Sequence, residues 1–360
     1  MVNITGTFCI IHYICKSFIA KEQSMFDKNC NCFDAIRYIL ALLITTAHYS
    51  VLSGTHLLNN FDVISNRVSI FFIISGFFSF MMYQRIPEPK HFAIKRTKRL
   101  IPAYWLTIIL SVALLSFSSN MGLSEFWVND QTYSYLISNL AFANFLHPSL
   151  PGVFESNPMT AVNGALWTMK VELMLLITVP IAYKTMEKIG RAKTLILIFL
   201  ISTIYRISVN WLYNSTGDEI YNIMYRQMGG QLIYFYSGAA TYIYREYIMS
   251  RTRIIIPFAI MIYILHSRYA FLELAAPACM ALIVITFAIK FKYLYWVGRL
   301  PNISYSMYLV HFPIIQTFIH FGLHKDYPIG TLILSLLSTI VIAYLMWYMA
   351  ERPFIKKRAQ

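Results

Sequence analysis

From residue 33 to residue 350 the chain is a near-continuous series of apolar runs, and nothing else in it constrains the fold as strongly. The runs fall at 35–53, 67–84, 100–118, 164–183, 194–213, 229–244, 254–266, 271–289, 303–321 and 329–350. Lipid offers no partner to an unpaired backbone N–H or C=O, so runs of this length fold as helices. About 20 such residues cross the hydrocarbon core. The run at 254–266 is short for a crossing and contains Pro257. A shorter one, 134–147, reads as an interfacial or re-entrant piece. Only 13% of residues are charged, against about 25% in soluble domains. The expected fold class is all-α: a polytopic integral membrane helical bundle of about ten transmembrane helices.

The loops give that bundle a direction. Basic clusters stand at Arg85–Arg99, Lys184–Lys193, Arg245–Arg253, Lys290–Arg299 and Lys356–Arg358. The intervening connections carry Asp62, Glu125, Asp130, Glu155, Asp218, Glu219 and Asp326. Lys and Arg collect on the cytoplasmic side, so ten spans with both termini cytoplasmic satisfy every loop. The formal charge of +14 is therefore a topology signal, and no nucleic-acid partner is expected. Five cysteines form no disulfide framework, and Cys30-Asn-Cys32 has neither zinc spacing nor a partner pair, so no metal is expected. Residues 1–32 read as an N-terminal extension, with Met25 as an alternative start. The membrane domain covers 33–354, and a basic cytoplasmic tail covers 355–360.

Ionisable groups inside spans are costly and mark function by default. Arg37 and His48 share the first run. Eleven helical steps make three full turns plus about 20°, so both lie on one face, about 16 Å apart along the axis. Neutral imidazole serves as a general base or a nucleophile near neutral pH. Glu172 lies early in the fourth run, where a carboxylate orients a histidine or binds a hydroxyl. Arg96 and Arg99 are i,i+3 and are read as opening the third run. Two guanidiniums at a helix N-terminus make a phosphate site. Ser304, Tyr308 and His311 form one polar stripe, which either lines a pore or joins helices. Ser75-Gly76 is a small-residue contact point.

Taken in order, these stretches resemble the membrane acyltransferase family 3, bacterial O-acetyltransferases of surface glycans and Nod factors. The motifs are Asp34-Ala-Ile-Arg37…His48, Phe71-Phe72-Ile-Ile-Ser75-Gly76-Phe77, Arg96-x-x-Arg99…Pro102-x-Tyr104-Trp105, Trp167-x-x-x-Val171-Glu172, Ser304-Tyr305-Ser-Met-Tyr308-Leu-Val-His311 and Glu351-Arg352-Pro353-Phe354. They run through residues 33–354. Lys170 stands where the family usually has a small residue. The resemblance implies a multi-pass protein of the bacterial inner membrane. It implies acetyl-CoA or another acyl-CoA as cytoplasmic donor, bound by Arg37, Arg96 and Arg99. It implies a surface polysaccharide or lipid-linked oligosaccharide as hydroxyl acceptor. His48 and Glu172 would be catalytic, with Ser75, Trp167, Tyr305, Tyr308 and His311 lining the substrate path. The alternative class is a non-enzymatic glycan flippase or exporter, which has no need of the Arg37–His48 spacing or the Arg96/Arg99 pair.

Overall fold

The computed structural model describes residues 31–55 and 67–354. Met25, nearly all of the N-terminal extension and the basic tail lie outside the described residues. Fifteen α-helices and no strand occur among the described residues. In chain order they are α1 (Phe33–Ser53), α2 (Arg67–Arg85), α3 (Pro89–Leu115), α4 (Leu123–Val128), α5 (Asp130–Leu140), α6 (Trp167–Ile189), α7 (Arg191–Thr216) and α8 (Glu219–Tyr225). There follow α9 (Met228–Ile243), α10 (Arg245–Ser250), α11 (Thr252–Leu265), α12 (Ala276–Lys290), α13 (Ser304–His320), α14 (Leu323–Asp326) and α15 (Pro328–Met346).

Each apolar run carries a helix. Five helices are long and apolar enough to cross a membrane: Phe33–Ser53, Val68–Arg85, Pro89–Ser118, Arg191–Thr216 and Pro328–Phe354. A sixth arises if Ala276–Lys290 and Lys292–Arg299, bent by 77°, count as one span. The helices α9, α11 and α13 are shorter, at 16, 14 and 17 residues. α6 is 23 residues long but holds Lys170, Glu172, Lys184, Glu187 and Lys188.

One helix boundary differs from the sequence reading. α3 starts at Pro89, with proline at its first position, so Arg96 and Arg99 do not open a helix. Hydropathy marks where lipid contact begins, not where backbone hydrogen bonding begins. The first turns of α3 are basic and polar, and the apolar run starts only at Leu100.

α2 and α9 form the tightest pair. A Cβ at Gly76 would lie 1.9 Å from the carbonyl oxygen of Phe235, and one at Gly238 would lie 1.9 Å from that of Ile73. The two backbones touch at their crossing, which only glycine permits. Ser75 points elsewhere, into the site described below. Half of the apolar window of α2 and of α3 is buried, against 17% for α7 and 28% for α15. α2 and α3 are thus central and α7 and α15 peripheral.

α13 is held in place by its own irregularity. Pro313 has no N–H, so the carbonyl of Leu309 loses its helical donor. Asn163, in the connection between α5 and α6, supplies one: its Nδ2 donates to Leu309 O at 2.8 Å. Asn157 Nδ2 donates to both Gln316 O and Gln316 Oε1 at 2.9 Å. Gln316 Nε2 in turn donates to Ala161 O at 2.9 Å. The connection is therefore fixed to α13 through buried amides, each of which would be costly if left unpaired.

Candidate active site

At the start of α1, Asp34 Oδ1 accepts from Arg37 Nη1 at 2.8 Å and from Asn302 Nδ2 at 2.6 Å. Asn302 precedes α13 and accepts from Ser304 Oγ at 2.7 Å. The Arg37 guanidinium, only 14% exposed, also lies 4.9 Å from the ring centre of Phe78. Arg37 is thus aimed, paired on one side and stacked on another. From α3, Arg96 Nη2 donates to Ser79 Oγ at 2.7 Å. Ser79 Oγ donates to Ser75 O, and Ser75 Oγ donates to Glu172 Oε1. Serines four apart on α2 therefore link a guanidinium of α3 to a carboxylate of α6. Arg96 is buried, and its Nε has no hydrogen-bond partner among the described residues. Arg99, one turn on, is exposed.

These groups border one open cavity. Arg37, Arg96, Arg99, Glu172, Ser304 and Tyr305 gather at one end of it. Its walls are apolar (Phe71, Phe72, Ile74, Phe78), and Val68, Thr168 and Tyr308 line it a turn or more along their helices from Ser75, Glu172 and Ser304. Tyr308 Oη meets Thr168 Oγ1 at 2.7 Å and donates to Ala165 O at 3.0 Å. The Tyr308 and His311 ring centres are 5.6 Å apart. His311, fully buried, puts Nε2 2.8 Å from His48 Nδ1, and the two rings lie edge to edge with centres 5.0 Å apart and planes 19° from parallel. The edge of Phe312 meets His48 at 5.3 Å. A Cβ at Gly164 would come within 2.8 Å of the Phe312 ring, so that glycine leaves room for the contact.

Of the sequence candidates, Arg37, Arg96, Arg99, Glu172, Ser75, Tyr305 and Tyr308 line the cavity. His48 and His311 form a pair just behind Tyr308. Trp167 opens α6, but its neighbour Thr168 is the one on the cavity wall. Glu172 makes no contact with His48: its carboxylate is held by Ser75 and faces Arg96 and Arg99. The side chain on His48 Nδ1 is His311. Lys170 does not disturb Glu172 either, because its ammonium sits 4.5 Å over the ring of Phe145.

The sequence reading passed over Ser79 and Asn163, and Asp34, Thr168 and Ser306 entered it only as parts of motifs. Ser79 carried a signal, the i,i+4 spacing from Ser75. Glu351, quoted above only as part of a motif, is buried in the π-helical turn Trp347–Glu351 and accepts from Ser306 Oγ at 2.5 Å. Arg206, in the middle of α7, was also missed. It stacks over Tyr225 at 4.4 Å and approaches Gly230 O and Glu273 at 3.4 and 3.5 Å. These contacts join α7 to the elbow between α8 and α9, a structural use of a charge within a span.

The sequence profile of the acyltransferase 3 family, described as an acyltransferase domain, matches residues 31–348. The chain belongs to the acyltransferase 3 family. An O-acetyl transferase of Shigella phage Sf6 is 23% identical over 346 residues, covering 91% of this chain and 96% of that protein. Nodulation protein 10 of Rhizobium leguminosarum bv. viciae is 24% identical over 358 residues, covering 91% and 94%. No solved structure matches the chain. Membership decides between the two classes left open by the sequence: this acyltransferase 3 protein is an enzyme, and the transporter reading falls. Its cavity has the chemistry for an acyl donor with an anionic head, since three guanidiniums gather at one end of an apolar channel.

Proposed function

We propose that the enzyme transfers an acetyl group from acetyl-CoA, held on the cytoplasmic side of the bacterial inner membrane, to a hydroxyl of a surface polysaccharide or its lipid-linked precursor. The observation that carries this reading is the cavity that runs from Arg37, Arg96 and Arg99 to Tyr308, the residue packed on the His311–His48 pair. Guanidiniums bind phosphate through charge-assisted hydrogen bonds, and the partnerless Nε of buried Arg96 is a donor in want of an acceptor. The pantetheine arm follows the phenylalanine-lined wall and brings the thioester toward His48. That path matches the spacing of about 16 Å between Arg37 and His48 along α1.

In this proposal both termini are cytoplasmic, as the charge bias of the loops favours, so the arginines lie in the inner leaflet and His48 in the outer half. His48 either takes the proton of the attacking hydroxyl or carries the acyl group transiently. Glu172, beside Ser75, balances the charge of Arg96 and Arg99 and is available to an acceptor hydroxyl.

The test is made with purified protein in vesicles, labelled acetyl-CoA and a lipid-linked oligosaccharide. The expected product is an alkali-labile O-acetyl ester, formed only when donor is supplied at the face bearing the arginines. Arg96→Leu is expected to raise the KM for acetyl-CoA about 10- to 100-fold, the equivalent of losing one hydrogen bond to a charged group. Label that never reaches any hydroxylated glycan, or a donor KM unmoved by Arg96→Leu, would overturn the proposal.

A further inference from the structure

We infer that His311 is the positioning residue that fixes the tautomer of His48 and so selects His48 Nε2 as its reacting nitrogen. The inference rests on the proposal that His48 is the group that handles the proton or the acyl.

Tyr308 is held at its hydroxyl by Thr168 Oγ1 and Ala165 O, at 2.7 and 3.0 Å. Its backbone carbonyl lies 2.7 Å from His311 Nδ1, and the carbonyl of Met307 lies 3.3 Å from the same nitrogen. A carbonyl only accepts, so Nδ1 of His311 carries the proton. A neutral imidazole has one N–H, and His311 has no exposed surface, where a charge would be costly. Its Nε2 therefore presents a lone pair. That lone pair faces His48 Nδ1 at 2.8 Å, so His48 must donate from Nδ1. A neutral His48 then holds its own lone pair at Nε2. The backbone carbonyl of Tyr308 thus dictates, through two rings, which nitrogen of His48 is basic.

The arrangement is also suited to the reaction step. When His48 Nε2 takes the proton of an attacking hydroxyl, the hydroxyl oxygen bonds the acyl carbon and the carbon–sulfur bond breaks. The thiolate then recovers the proton from Nε2, which leaves an ester and a thiol. During that interval His48 is an imidazolium, and its Nδ1–H still points at the His311 lone pair. His311 holds the ring in register throughout and exchanges no proton in the net reaction. Phe312, kept against His48 by the space at Gly164, prevents the ring from flipping.

The test uses the full-length protein with 15N-labelled histidine, in nanodiscs, with the His48 signals identified from their loss in His48→Ala. Wild type is expected to show His48 protonated on Nδ1. His311→Leu is expected to shift it to the Nε2–H form, lower kcat at least tenfold and leave the KM for acetyl-CoA unchanged. His311→Gln keeps an acceptor facing His48, and it is expected to restore the Nδ1–H form and at least half of the lost activity on a logarithmic scale. The tautomer readout needs no turnover, so it stands or falls separately from the acyl-transfer proposal. A wild-type His48 protonated on Nε2, a His311→Leu enzyme with wild-type kcat, or a His311→Gln enzyme no better than His311→Leu would overturn the inference.

Discussion

Alanine at position 48 is expected to lower acyl transfer roughly 10³-fold, the contribution of a positioned general base, while the protein still folds. The loss falls on kcat, because no guanidinium of the donor end touches His48. Some stability is lost as well: the substitution strips His311 Nε2 of its donor, and an unpaired buried nitrogen costs about 1–3 kcal/mol. Melting in detergent should therefore fall only modestly, and the ratio of activity loss to melting shift separates chemistry from folding. The same variant distinguishes the two routes open to His48. If His48 carries the acyl group, rapid quenching of wild type with labelled donor gives labelled protein, and His48→Ala gives none. If it acts as a base, neither protein is labelled. An alanine variant with full activity sinks both routes.

Gly76→Ala is expected to be among the most destabilising single substitutions in the molecule. The added methyl would sit 1.9 Å from the carbonyl oxygen of Phe235, and the obstacle is backbone, which cannot rotate away. α2 and α9 would have to separate, and with them the wall that carries Ser75 and Ser79. Overpacking of this kind costs about 3 kcal/mol or more, a fall of roughly 4 °C or more in melting midpoint for a chain of this size. Gly238→Ala, which meets Ile73 O at the same distance, should behave alike. Ser75→Ala is the control: it removes the hydrogen bond to Glu172 and adds no bulk, so melting should hold while donor use changes. The measurement is the melting midpoint by size-exclusion fluorescence. Wild-type stability for Gly76→Ala would show that the helices cross elsewhere.

Much of this was legible in the chain because lipid forces helices and helices have a period. The Arg37–His48 spacing needed only the helical step, and the run pattern anticipated every long helix. Hydropathy misplaced the start of α3, since Pro89 and the basic turns after it are helical without being apolar. Partnerships across the bundle were not legible. His48 and His311 are 263 positions apart, and no periodicity connects them. Glu172 carries two readings in the sequence, orienting a histidine or binding an acceptor hydroxyl, and neither foretells that its carboxylate meets Ser75 and faces Arg96 and Arg99. Asn163 gave no sign at all: its use depends on a carbonyl left without a donor by Pro313, 150 residues later in the chain. A missing hydrogen bond announces itself only once the helix that lacks it is built.

The dependence of α13 on Asn163 also sets an order of biogenesis. The first helix enters the bilayer carrying His48 long before His311 has been synthesised. The α5–α6 connection waits as well, because the carbonyls it will engage belong to a helix that arrives later. Closing contacts of such high sequence separation is slow, and those of His48, Asn157 and Asn163 converge on one late segment. A nascent chain that stops before residue 304 holds Arg37, Arg96 and Arg99 but lacks Tyr308, His311 and Phe312 beside His48. The ring that faces His48 thus arrives only after Arg37, Arg96, Arg99 and Glu172 have all been made.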